Sequence, residues 1–107
     1  MIYNFVRLLL FFDLPMTTKK EKRTYTHFRK YLIKNGYLMV QYSVYCRIFP
    51  NRESAINHIN ILRKNIPKDG QIRIMVVTEK QYSKMEIIVG GKSKQEEIVT
   101  SESFIKL

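Results

Sequence analysis

Apolar residues gather first in Leu8-Leu9-Leu10-Phe11-Phe12. Six of the seven residues after Arg7 are apolar, and Asp13 is the exception. A short apolar run bounded by a turn signal reads as a buried strand. Pro15 cannot donate to a β-ladder, so pairing should stop near Asp13, at the carboxyl end of a central strand. The period then changes. Tyr25, Phe28 and Leu32 fall at i, i+3 and i+7, the core stripe of a helix. Thr18-Lys19-Lys20-Glu21 has the form of a capping box. Gly36 supplies a left-handed stop after Asn35. Two strands follow, Tyr37-Leu38-Met39-Val40 and Val44 to Phe49, joined at Gln41-Tyr42-Ser43 without a strong hairpin signal. Pro50-Asn51-Arg52 opens a second helix, with Asn51 as its cap. Ala55, Ile56, Ile59 and Leu62 form its expected buried face, and it ends around Asn65, before Pro67. After an Asp69-Gly70 turn, Gln71 to Thr78 alternates as a strand, with Ile72, Ile74 and Val76 on one face and Arg73, Met75 and Val77 on the other. Glu79 to Tyr82 reads as a short connector. Glu86-Ile87-Ile88-Val89 reads as a fifth strand, ended by Gly90-Gly91.

The order is β-α-β, β-α-β, then β. It predicts an α+β, ferredoxin-like βαββαβ sandwich over residues 1–91, with both helices on one sheet face and an extra C-terminal strand. Residues 92–107 form a mixed tail, either a docking or swapped strand or a solvated end. The other sheet face needs a cover, and a second copy of the chain is the simplest one. The fifth strand would then add to a partner's sheet edge.

Composition narrows the function classes. At 107 residues and 45% hydrophobic, the chain suits one folded domain with a shallow core. No apolar run reaches the roughly 18 residues that span a bilayer. Asp13 interrupts the superficial resemblance of the N-terminus to a signal peptide, so the expected location is the cytoplasm. Cys46 is single and reads as a small core residue, and no Cys/His cluster points to zinc. His27 and His58 lie on different helices and read as ordinary surface or half-buried side chains. The net charge of +10 changes the picture most. It calls for a polyanionic partner, and nucleic acid fits better than a membrane because the apolar residues follow core patterns.

Three features carry candidate chemistry, each with a plainer alternative. Asp13 is either a metal-binding carboxylate or an Asp that starts the turn into the first helix. Taken locally, the turn is the commoner role. Seven basic residues decorate the first helix, opposed within it only by Glu21. They form either a solvated face or a phosphate-binding one, and the imbalance exceeds what pairing along a helix absorbs. Tyr37, Tyr42 and Tyr45 are either sheet packing, the commoner role, or base-stacking platforms.

Phe11-Phe12-Asp13-Leu14-Pro15, the basic first helix, Gln41-Tyr42-Ser43-Val44-Tyr45 and Val77-Thr78-Glu79-Lys80-Gln81 together resemble the family of CRISPR-associated protein two. The likeness covers nearly the whole chain. The Thr-Glu-Lys-Gln run and Gly90-Gly91-Lys92 look most like members from type II systems. The resemblance implies a ferredoxin-like homodimer acting in spacer acquisition. The dimer would bind double-stranded DNA and bridge dimers of the CRISPR integrase, CRISPR-associated protein one. Many members are also described as metal-dependent endonucleases on RNA or double-stranded DNA. The family's functional aspartate matches Asp13, which makes it the implied catalytic residue and Mg²⁺ ligand, shared across the two-fold axis. Phe12 stands where the family often has Tyr, so any role for that hydroxyl is absent. The helix-one arginines are matched only by Arg23 and Arg29, with Lys20, Lys22 and Lys30 as further nucleic-acid-binding candidates. A ferredoxin-like RNA-binding module is the alternative. It would stack bases on exposed sheet aromatics.

Overall fold

The computed structural model describes residues 5–91. Four strands form one antiparallel sheet in the order β2-β3-β1-β4, with β1 Val6–Asp13, β2 Leu38–Gln41, β3 Val44–Phe49 and β4 Gln71–Thr78. Helix α1 spans Lys19–Lys34 and α2 spans Arg52–Leu62. This is the expected α+β, ferredoxin-like arrangement.

Strand β1 is central because it is apolar on both faces. Val6, Leu8, Leu10 and Phe12, followed by Leu14, point into the core beneath the helices. Leu9 belongs to a second, smaller cluster on the opposite face, with Leu38 and Cys46. A strand buried on both faces reads as a continuous apolar run, which is why this one does. Tyr25, Phe28 and Leu32 are the buried stripe of α1. Phe12 is the junction between strand and helix. Its ring lies 5.5 Å from Tyr25, 5.4 Å from Phe28 and 5.7 Å from Tyr45. Truncating a buried Phe to Ala typically costs about 3–5 kcal/mol.

The helix ends follow their local chemistry. The Thr18 hydroxyl accepts from the Glu21 N–H at 3.1 Å, while Glu21 Oε1 accepts from the Thr18 N–H at 2.9 Å. The backbone N–H donors, Thr18 first, hold the Glu21 carboxyl below the usual carboxylate range. Gly36 takes φ +87° after the C-cap, as the stop requires. The Asn51 side chain accepts from the Ser54 N–H and caps α2.

Four expectations change. The β2–β3 connection is a tight hairpin turn in which Ser43, rather than a glycine, takes φ +65°, and the Ser43 carbonyl accepts from the Phe12 N–H at 3.1 Å. Ile56 is exposed, and His58 takes a buried place on α2 instead. The expected connector is a short helix, α3, over Glu79–Ser83, capped by Thr78 with Gln81 completing a second capping box. The expected fifth strand over 86–89 is irregular, and Ile88 and Val89 are each 89% exposed. A strand exists only when it has a ladder partner. Among the described residues the segment pairs with no strand. The expectations for residues 92–107 lie outside the described residues.

Candidate nucleic-acid and metal site

The uncovered sheet face carries the candidate site. On β1 the residues Arg7, Leu9, Phe11 and Asp13 point away from the helices. Their partners on β4 are Val77, Met75, Arg73 and Gln71. Helix α3 covers one end of this face. Arg7 is 2% exposed there. Its Nε donates to Glu79 Oε2 at 2.8 Å and its Nη2 donates to Oε1 at 2.6 Å. The guanidinium also lies 3.9 Å from the centre of the Tyr82 ring. Burial disfavours the charged form, but the Glu79 carboxylate outweighs it and holds Arg7 protonated. Tyr82 and Val77 pack on the Leu9, Leu38 and Cys46 cluster. Neither Arg7 nor Glu79 was legible as a pair from sequence, because 72 residues separate them.

The other end of the face is open. Asp13 is the last residue of β1 and its side chain is exposed. Phe11, two residues before it, is 37% exposed, and Met75, opposite Leu9 on β4, is 54% exposed. Asp13 lies in a depression of about 210 Å³ with Phe11, Ser43, Val44, Gln71 and Arg73. Arg73 pairs with Phe11, so it is the diagonal neighbour of Asp13 on the same face. Diagonal positions lie roughly 7–8 Å apart at the backbone, within reach of a long side chain. The turn before β4 presses on this strand end. A Cβ on Gly70, which has φ +90°, would meet the Asp13 carbonyl oxygen at 2.6 Å. Among the described residues no three His, Cys, Asp or Glu side chains gather as a metal cluster. One chain therefore offers Asp13 as a single carboxylate at this site.

The basic residues expected on α1 are all exposed, but they do not form one patch. Lys20 and Arg23 line a groove with His27 and Tyr31. Lys22 and Arg29 are seven residues apart and share a different flank, where Arg29 Nε donates to the Tyr45 hydroxyl at 3.2 Å. Lys30 lies three residues beyond His27 and seven beyond Arg23, on the same face of the helix as those two. The tyrosines divide as well. Tyr37 and Tyr45 are buried, which removes them as stacking platforms on the sheet. Tyr42 is 69% exposed at the hairpin tip, stacked on Tyr25 at 6.2 Å. Among the described residues, the reading as a sheet-based RNA-binding module loses its exposed sheet aromatics apart from Phe11. Among the described residues no helix is long and apolar enough to cross a membrane.

The family model described as CRISPR associated protein Cas2 matches residues 6–85, from the start of β1 to just beyond α3. A protein of Acidovorax ebreus named CRISPR-associated endoribonuclease Cas2 is 43% identical over 90% of this chain and 94% of its own length. A protein of Treponema denticola with the same name is 43% identical over 95% of this chain and 100% of its own. A third, from Ligilactobacillus salivarius, is 40% identical over 84% of this chain and 89% of its own length. A match across every described strand and helix, joined to that degree of identity, shows that the chain belongs to the CRISPR associated protein Cas2 family.

Proposed function

We propose that the chain acts in CRISPR adaptation as a symmetric homodimer. The dimer binds double-stranded DNA as a scaffold between dimers of the integrase, CRISPR-associated protein one, and carries a Mg²⁺-dependent phosphodiesterase site built on Asp13. The observation that carries this reading is the position of Asp13, exposed beside Arg73 and Phe11 at the open end of the sheet face. A second copy laid on that face covers Phe11 and Met75 and brings a second Asp13 to the seam. It also offers a ladder edge to the apolar segment at 86–89.

The donor set fits Mg²⁺ better than a metal that needs a closed protein cage. Mg²⁺ keeps several waters and takes one or two carboxylates together with substrate phosphate oxygens. Two carboxylates at one seam repel each other, and a shared cation or a shared proton relieves this. When bound, the ion would supply positive charge for the phosphate and a more acidic water. Asp13 from each copy would hold it. Arg73 would hold a non-bridging phosphate oxygen, since its planar fork matches that geometry. The reaction is hydrolysis. A water oxygen bonds to phosphorus, the bond to the leaving sugar oxygen breaks, and that oxygen takes up a proton as the attacking water loses one. The names of the relatives point to RNA as one substrate class. Lys20, Lys22, Arg23, Arg29 and Lys30 would meet the phosphate backbone without reading sequence.

The test is Asp13→Ala, assayed for Mg²⁺-dependent cleavage of RNA and of duplex DNA, and for spacer acquisition with the integrase. Loss of cleavage with acquisition intact makes the scaffold role primary. Cleavage that survives refutes the site. For the scaffold surface, about 6–10 phosphate contacts predict a loss of about 10³–10⁵ in duplex affinity between 50 and 200 mM salt, and a flat dependence contradicts it.

A further inference from the structure

We propose that the groove between α1 and the segment after α2 binds a nucleoside phosphate unit of single-stranded nucleic acid, at a site separate from the Asp13 depression. Lys20, Arg23, His27 and Tyr31 recur along one side of α1 and form one wall. Asn65, Ile66 and Pro67 form the other. The volume is about 530 Å³, the size of a small-molecule site.

The walls mix two chemistries. Lys20 and Arg23 give the groove two cations, and no lining residue is acidic. Tyr31, Ile66 and Pro67 add apolar surface to it. A ligand that fits carries both an anionic group and a flat aromatic one, which describes a nucleotide. Tyr31 is suited to take the base because its ring is already fixed. It stacks on Phe28 with centroids 6.4 Å apart and planes 14° apart, and Phe28 is a core residue. A preset ring loses little freedom when a base stacks on it. The Asn65 side-chain N–H₂ donates to the Ile61 carbonyl at 2.9 Å, which orients the amide and leaves its oxygen as an acceptor for a base amino group. Ile66 is 39% exposed, so the groove leaves apolar surface in water for a base to cover. A paired base inside a duplex cannot enter without leaving its stack, so the groove selects single strands. Basic grooves that add aromatic stacking to phosphate contact bind single strands without strict sequence preference. This inference does not depend on Asp13 or on metal.

The experiment measures binding of labelled single-stranded oligoribonucleotide and oligodeoxyribonucleotide to the full-length protein in EDTA, by anisotropy, beside a duplex of the same sequence. Tyr31→Leu keeps apolar packing on Phe28 and removes the stacking ring. It should weaken single-strand binding by about 5- to 150-fold, the range for one lost base stack, and change duplex binding less than twofold. No loss, or an equal loss on the duplex, overturns the proposal. A second variant, Ile66→Glu, places a carboxylate in the groove from an exposed position and should weaken single-strand binding at least tenfold. An unchanged affinity contradicts the site even if Tyr31→Leu folds poorly. Competition by adenosine monophosphate adds the free nucleotide to the ligands. Its failure, with oligonucleotide binding retained, restricts the site to a strand, and both results support the site. Displacement of the oligonucleotide by inorganic phosphate at the same concentration overturns it. Retained cleavage in Asp13→Ala would sink the catalytic reading and leave this one standing.

Discussion

His58 couples the fold to pH through three contacts. Its Nδ1 accepts from Arg47 Nη1 at 3.2 Å, because a guanidinium can only donate. The neutral ring therefore carries its proton on Nε2, which donates to the Tyr37 hydroxyl at 2.8 Å. Phe49 packs on the ring with centroids 5.1 Å apart. Burial, and then the charge of Arg47, push His58 below its ordinary value of 6.5. The unfolded chain thus binds this proton more readily than the folded one. The stabilisation is complete above pH 6.5 and is lost as the pH falls below it. Thermal melting should therefore show a lower midpoint at pH 5.5 than at pH 7.5. His58→Leu should flatten that difference while lowering the midpoint at both. An unchanged pH profile in the variant would remove His58 as its source. Burial likewise pushes the Tyr37 hydroxyl up, so it stays protonated throughout this range.

Two elements hold the two ends of this sheet face, and each has a single residue that tests it. The turn before β4 needs Gly70. Alanine there would demand a left-handed backbone and would press its Cβ to within 2.6 Å of the Asp13 carbonyl oxygen. Gly70→Ala should cost about 1–3 kcal/mol in chemical denaturation, and it should also reduce cleavage, because the strain falls on Asp13. Lost stability with full cleavage would separate the turn from the site. Helix α3 is tied down by Glu79. Removing one partner of a buried ion pair costs about 3–5 kcal/mol. The Glu79 carboxylate is 25% exposed, so Glu79→Ala should fall near the low end, about 3 kcal/mol. A loss below about 1 kcal/mol would mean that α3 is not anchored through Arg7.

Legibility followed the range of the interactions. Strand β1, both long helices and their caps were readable because the signals are local: an apolar run, a period of 3.6, a Thr three residues before a Glu. The cap of α3 was equally local, with Thr78 three residues before Gln81, yet the helix is only Glu79–Ser83. A segment that short shows no period, so it read as a connector. Ile56 and His58 exchanged their expected places because a buried histidine is paid for by hydrogen bonds from residues far along the chain, Tyr37 and Arg47. Asp13 was readable as the residue ending β1. Arg73 was readable only as one face of β4, and the strand register brought it beside Asp13. The five basic candidates on α1 were readable as charge, but their division between a groove and an opposite flank depends on what packs beside the helix.

For the whole molecule, the net charge of +10 and the bare end of the sheet point the same way. The charge suits a polyanion, and a second copy is the cover we propose for the apolar residues of the face that carries Asp13. The function proposed above puts one shared metal site on the two-fold axis of a basic dimer. The most direct measurement is a Mn²⁺ titration followed by electron paramagnetic resonance, in the presence of a non-cleavable phosphorothioate oligonucleotide. The account predicts one tightly bound ion for every two chains, lost in Asp13→Asn. One ion per chain, or binding that survives Asp13→Asn, would contradict it.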